Sequence, residues 1–155
     1  MKDKKLMIAR IILTVLTVAA VAAIFYNSSL DADESTEQSS ALLIQINRFL
    51  CSIGINIEIT EKVLRKIAHF TEYTVLGTLL CSTIYLYVQQ RGKMLLISLP
   101  VGLAVAGCDE LIQLIPAGRS SELRDVLIDF SGVLFAALIV TLITFLKDRK
   151  RKDKH

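Results

Sequence analysis

The chain has no tryptophan, only two prolines and 6% aromatic residues. Without tryptophan, any anchoring at a membrane–water boundary falls to tyrosine and phenylalanine. Three cysteines, Cys51, Cys81 and Cys108, make an odd set with no C-x-x-C pair. That excludes a disulfide framework and leaves them as small buried hydrophobes. Net charge is small as well. Eighteen Lys and Arg stand against fifteen Asp and Glu, for a net charge of +3 gathered in clusters, which argues for membrane orientation and against nucleic acid. The chain carries no G-x-S-x-G, no phosphate-binding loop, no dinucleotide fingerprint and no H-E-x-x-H. No internal repeat and no stretch composed like a soluble domain is present.

Apolar residues make up 53% of the 155 and the mean hydropathy is +0.53, above what a soluble domain of this length needs. After the basic Met1–Arg10 segment, an apolar run reaches about Tyr26. It is longer than a signal-peptide core and no small-x-small cleavage site follows, so an uncleaved first span is expected. The polar segment from Asn27 to Ser40 contains Ser35 and Gln38 in a capping-box pattern. From Ala41, the residues Leu42, Leu43, Ile46, Phe49, Leu50 and Ile53 fall on one helical face, with Gln45, Asn47, Arg48 and Ser52 facing away. Too short and polar to span, this amphipathic helix should lie in the interface or cover the bundle, ending at Gly54 and Asn56.

Thr60 with Glu61 marks the next helix start, and that helix should run to about Val88. A third span is expected over Met94–Ile115, with Pro100 and Gly102 inside it, then a turn at 116–119. Ser120 or Ser121 can cap a fourth, ending at Leu146 before the basic tail. The expected fold is therefore all-α: one domain, 1–155, a polytopic membrane protein. Its four transmembrane helices lie near 8–26, 67–88, 94–115 and 124–146, and an extracytoplasmic segment at 27–63 carries the amphipathic helix. Each span is near the ~20 residues a bilayer requires.

Twelve of the eighteen Lys and Arg lie in the N-terminal segment, the 89–93 turn and the C-terminal tail. The positive-inside rule then places both termini in the cytoplasm of a bacterial plasma membrane, as an even number of spans demands. With that orientation the ionisable residues inside the apolar stretches collect at the extracytoplasmic face. An ionisable group at bilayer depth is expensive and is a functional candidate by default. His69, Glu72 and Tyr73 share a helical face, as do Asp109 with Gln113 and Asp125 with Asp129. Gly77, Gly107 and Gly132 would let the helices approach. Arg119, on a turn before a helix N-terminus, fits a phosphate or carboxylate.

His69, Glu72, Asp109 and Glu110 are the candidate catalytic residues, with His69 as general acid or base positioned by Glu72 or Asp109. Lys66, Tyr73, Gln113, Arg119, Asp125 and Asp129 are the candidate ligand-binding residues. The bland alternative pairs Lys66, Arg119 or Arg124 with Asp109, Glu110 or Asp125 as interhelical salt bridges, and makes Tyr73 an interfacial anchor. One imidazole with several carboxylates suits a divalent ion. His155, however, lies in the tail and no Glu-x-x-His pattern is present, so no metal and no other cofactor is expected. The expected partners are membrane lipids or a lipid-linked cell-wall precursor, and no nucleic acid. The polar groups stop at one face, which argues against a channel.

Arg65-Lys66-x-Ala68-His69-Phe70-x-Glu72-Tyr73, Gly77, Asp109-Glu110-x-x-Gln113, Pro116-x-Gly118-Arg119, Asp125 and Gly132, with Phe25-Tyr26-Asn27-Ser28-Ser29 before them, resemble the VanZ-like family of bacterial membrane proteins. The resemblance covers nearly the whole chain and joins separated blocks in order. The chain departs from it at Asp129, where many members carry Asn. It implies a small polytopic protein of the cell envelope, in a family whose founding member is associated with low-level teicoplanin resistance. If chemistry occurs, the expected class is a hydrolase or transferase acting on a lipid phosphoester. The rival is a non-catalytic membrane interaction protein.

Overall fold

A computed structural model describes residues 2–30, 32–55, 57–116 and 123–152. Arg119 and the candidate caps Ser120 and Ser121 lie outside the described residues, as does Asn56. The described chain is all-helical: α1 Lys2–Ser28, α2 Ala32–Ser52, α3 Glu61–Val88, α4 Arg91–Ile112 and α5 Leu123–Lys152.

Local chemistry accounts for most of the boundaries. Thr60, in extended backbone, accepts a hydrogen bond from the Val63 amide, and Glu61 occupies the first turn of α3. At the other end of α3, Gln89 adopts a left-handed conformation and its amide donates to the Tyr85 carbonyl. Helix α4 stops at Ile112, three residues short of the expected end, and Ile115 is 82% exposed. The residue before a proline is pushed out of helical backbone, and Pro116 follows Ile115. Helix α5 instead runs past Leu146 into the basic tail, because Lys, Arg and Asp extend a formed helix at little cost. Helix α2 begins at Ala32, before the apolar stripe. Asn47, expected on the face opposite the apolar stripe, accepts from the Ile59 amide at 2.9 Å and donates to the Ile59 carbonyl at 3.0 Å. It pins the connection between α2 and α3.

Among the described residues, three helices are long and apolar enough to cross a membrane: α1 over Asp3–Ser28, α4, and α5 over Leu123–Lys150. Helix α3, the expected second span, has 28 residues but falls outside that set. Glu61, Lys62, Arg65, Lys66 and Glu72 crowd its first twelve residues.

The contacts fix the directions of the helices. Helix α3 packs most extensively on α5, and the two run parallel. Lys66 meets Asp125, His69 meets Asp129, and Gly77 meets Val133 and Ala136. Helices α1 and α4 run antiparallel to α3. Arg10 of α1 donates to the Leu86 carbonyl near the C-terminus of α3 at 2.9 Å, and Asn27 at the far end of α1 reaches Glu72. Ser98 of α4 accepts from the Cys81 thiol at 3.3 Å, and Arg91 at the start of α4 meets Asp148 at 2.8 Å late in α5. Two small clusters form the core: Ile24, Tyr73, Leu76, Ala106 and Val133, then Cys81, Met94, Ala137 and Val140.

The packing against α5 depends on glycine. A Cβ at Gly77 would lie 2.8 Å from the Ala136 Cβ, and one at Gly132 would lie 2.6 Å from the Phe70 carbonyl oxygen. Small residues at such crossings let backbones approach closely. Gly107 does not belong with them, since nothing lies within 4 Å of a Cβ there; Gly102 is the glycine through which α4 approaches, against Val133. The cysteine expectation also needs correction. All three are free, yet only Cys81 is buried, while Cys51 and Cys108 are exposed.

Candidate functional site at one end of the bundle

The N-terminal turns of α3 and α5 and the C-terminal turns of α1 and α4 meet at one end. Helical spacing aims their polar residues inward. Lys66 and His69 are three apart on α3, and Asp125 and Asp129 are four apart on α5; each pair therefore shares a face. Lys66 Nζ lies 3.0 Å from Asp125 Oδ1, with about a third of each side chain exposed. One turn deeper, His69 Nδ1 lies 3.4 Å from Asp129 Oδ1 and 3.9 Å from Asp109 Oδ2. Both aspartates are 0% exposed, whereas His69 retains 22%. Asp129 Oδ2 is buried and has no hydrogen-bond partner among the described residues.

Neighbouring groups hold this centre from three sides. Gln113, one turn after Asp109 on α4, donates to Asp109 Oδ2 at 3.3 Å and to Ser28 Oγ at 3.5 Å. The hydroxyls of Ser28 and Tyr73 lie near the Asp109 carboxylate, and the Tyr73 hydroxyl is buried with no hydrogen-bond partner among the described residues. Asn27 Nδ2 donates to Glu72 Oε1 at 3.1 Å. Tyr73 is fully buried in the core, which overturns its reading as an interfacial anchor. Glu110 is buried as well, but the residue after Asp109 points about 100° away around the helix. It does not join the group formed by His69, Asp109 and Asp129. Arg124 is exposed.

A family model described as VanZ/LLP1 matches residues 13–144. The chain belongs to the VanZ/LLP1 family. No curated protein and no solved structure matches it. The matched region of this VanZ/LLP1 chain contains every residue of the polar end just described, together with Arg10's contact partners Leu86 and Tyr87 at the opposite end.

Two residues of the centre lie outside the three spans in which the sequence places the ionisable groups. Asn27 and Ser28 come from α1. They are ordinary uncharged polar residues at a helix end, and the only signal for them is the Phe25–Ser29 block. The partner of His69 is also refined. Asp129 stands nearer to it than Asp109, while Glu72 is engaged by Asn27. With Nδ1 turned toward carboxylates, the imidazole is held in one orientation and Nε2 is left as the atom that can take or give a proton.

Proposed function

We propose that this VanZ/LLP1 protein spans the bacterial plasma membrane four times, with both termini cytoplasmic. At the extracytoplasmic end of its bundle it holds the polar headgroup of an anionic lipid or lipid-linked wall precursor. The observation that carries the reading is the convergence of His69, Asp109 and Asp129, with Gln113, Ser28 and Asn27 around them, in helices that otherwise expose apolar side chains. Four crossings are supported by the contacts of α3 with α1. Its Glu72 lies beside Asn27 at the C-terminus of α1 and its Leu86 beside Arg10 in the N-terminal part of α1, so the 72–86 stretch of α3 runs along most of α1. The excess of Lys and Arg at the other end supports the orientation.

In this reading Lys66 at the rim, together with Arg119 of the connection between α4 and α5, meets a phosphate or carboxylate, and Asp129 orients His69 for proton transfer. The reaction class such an imidazole fits is hydrolysis or transfer at a lipid phosphoester. A contribution to teicoplanin resistance belongs to the same reading. The test is native mass spectrometry of bound lipid, with teicoplanin susceptibility beside it, for wild type, His69→Ala and Arg119→Ala. Selective lipid retention by wild type, reduced in both variants, is expected. Identical lipid profiles and identical susceptibility in all three contradict the reading.

A second reading has one observation of its own. The Lys66–Asp125 pair joins α3 to α5, as interhelical salt bridges in a non-catalytic interaction protein would. Exchanging these two charges separates the readings. Restored function in Lys66→Asp with Asp125→Lys favours structural pairing, because a lysine that contacts a headgroup must stay in its place.

A further inference from the structure

We infer that His69, Asp109 and Asp129 form a binding site for one borderline divalent cation of the zinc class, which in the loaded protein takes the place of the proton transfer by His69 proposed above. The sequence argues against a metal because it lacks a second histidine near the first. The fold supplies two aspartates from different helices instead, and one ligand atom from each of the three residues lies within 4.8 Å of the others.

Three observations carry the inference independently. The first is geometric. In a tetrahedral site with bonds of about 2.0–2.1 Å, neighbouring donor atoms are about 3.3–3.4 Å apart. His69 Nδ1 is 3.4 Å from Asp129 Oδ1 and 3.9 Å from Asp109 Oδ2, and all three donors lie within 4.8 Å of one another, so closing the set around an ion requires side-chain rotation that draws the two aspartates together. The second is an unfilled valence: Asp129 is 0% exposed, and its Oδ2 has no hydrogen-bond partner among the described residues. Buried polar oxygens are otherwise almost always satisfied. The third is charge. Two buried carboxylates face a single imidazole, and Lys66 is engaged by Asp125. Buried charge without compensation is strongly unfavourable. A divalent cation with two aspartates and a neutral imidazole sums to zero.

The donor set also selects the ion. An imidazole nitrogen disfavours magnesium and calcium, and two carboxylates without thiolate disfavour copper(I). Three protein donors leave a coordination position for water or a ligand oxygen. Gln113, which donates to Asp109 Oδ2, holds one ligating carboxylate in place from outside the site.

The test uses full-length protein in detergent, stripped with a chelator and reloaded with zinc alone, so its outcome does not depend on any lipid. Metal content by mass spectrometry should reach about one ion per chain, as three converging donors imply. Asp109→Asn and Asp129→Asn should each lose more affinity than the roughly 10–100-fold expected for Gln113→Leu, with helical circular dichroism unchanged. Asp148→Asn, at the opposite end, should bind like wild type. X-ray absorption on zinc-loaded wild type needs no variant to fold, and should show imidazole and carboxylate donors without sulfur. Failure of folded wild type to retain zinc, binding that survives both aspartate substitutions, or sulfur in the first coordination sphere would overturn the site.

Discussion

Lys66 and His69 sit one turn apart on α3, and both face aspartates of α5, yet their surroundings assign them different weights. Lys66 and Asp125 are each about a third exposed, so solvent screens their attraction. Lys66→Met should cost less than about 1 kcal/mol in unfolding measurements; a loss above about 3 kcal/mol would mark the pair as a buried tie. The Thr17–Thr83 hydroxyl contact between α1 and α3, 2.9 Å and buried, should be worth about 0.6 kcal/mol, the mean for hydrogen bonds between membrane helices. Thr83→Val measured by reversible unfolding checks that value. At this scale the ionisable half of the centre was legible in the sequence, because charge inside an apolar stretch is costly enough to stand out. Asn27 and Ser28 were not, because uncharged polar residues near a helix end need no special explanation. The choice of Asp129 as the nearest partner of His69 depends on how α5 is rotated against α3, and spacing along one helix does not contain that.

Among the elements, the parallel pair α3 and α5 forms the frame that positions the site. Their approach rests on Gly77 and Gly132, where a Cβ would press on Ala136, Val133 and the Phe70 carbonyl. Gly77→Val and Gly132→Val should each lose about 1–3 kcal/mol or more by overpacking, and should displace the aspartates from His69. Gly107→Val should leave stability within about 0.5 kcal/mol, because open space surrounds that position. Thermal unfolding of the three variants side by side tests the contrast. Helix α3 was readable from Thr60 to Val88, since a capping threonine, an acidic first turn and a long apolar run agree. The start of α2 was not, because its first residues, such as Asp33, Glu34 and Ser35, have no apolar periodicity to read. The packing role of Gly102 was hidden for a related reason: a glycine two residues from Pro100 looks like part of a kink, and only the facing Val133 identifies it as a contact.

The whole molecule has two unlike ends. One gathers His69, the aspartates and Gln113. The other is closed by Arg10 against Leu86 and Tyr87, and by Arg91 between Asp148 and Phe145, the aromatic and basic pairing expected where helices leave a bilayer. Reporter fusions after Gln90 and after Gly118 should read cytoplasmic and external respectively; the reverse pattern would move the polar end into the cytoplasm and change the class of ligand. The account's central claim is that the polar end serves a ligand and does not merely tie helices together. Buried ionic groups can often be exchanged for apolar residues of similar volume without loss of stability, so a variant without them is expected to fold. The deciding measurement is bound lipid, by native mass spectrometry, in the triple variant His69→Leu, Asp109→Leu and Asp129→Leu, with its unfolding temperature recorded beside it. The account predicts a bundle at least as stable as wild type that no longer retains its lipid. A lipid profile identical to wild type in the folded variant would contradict it.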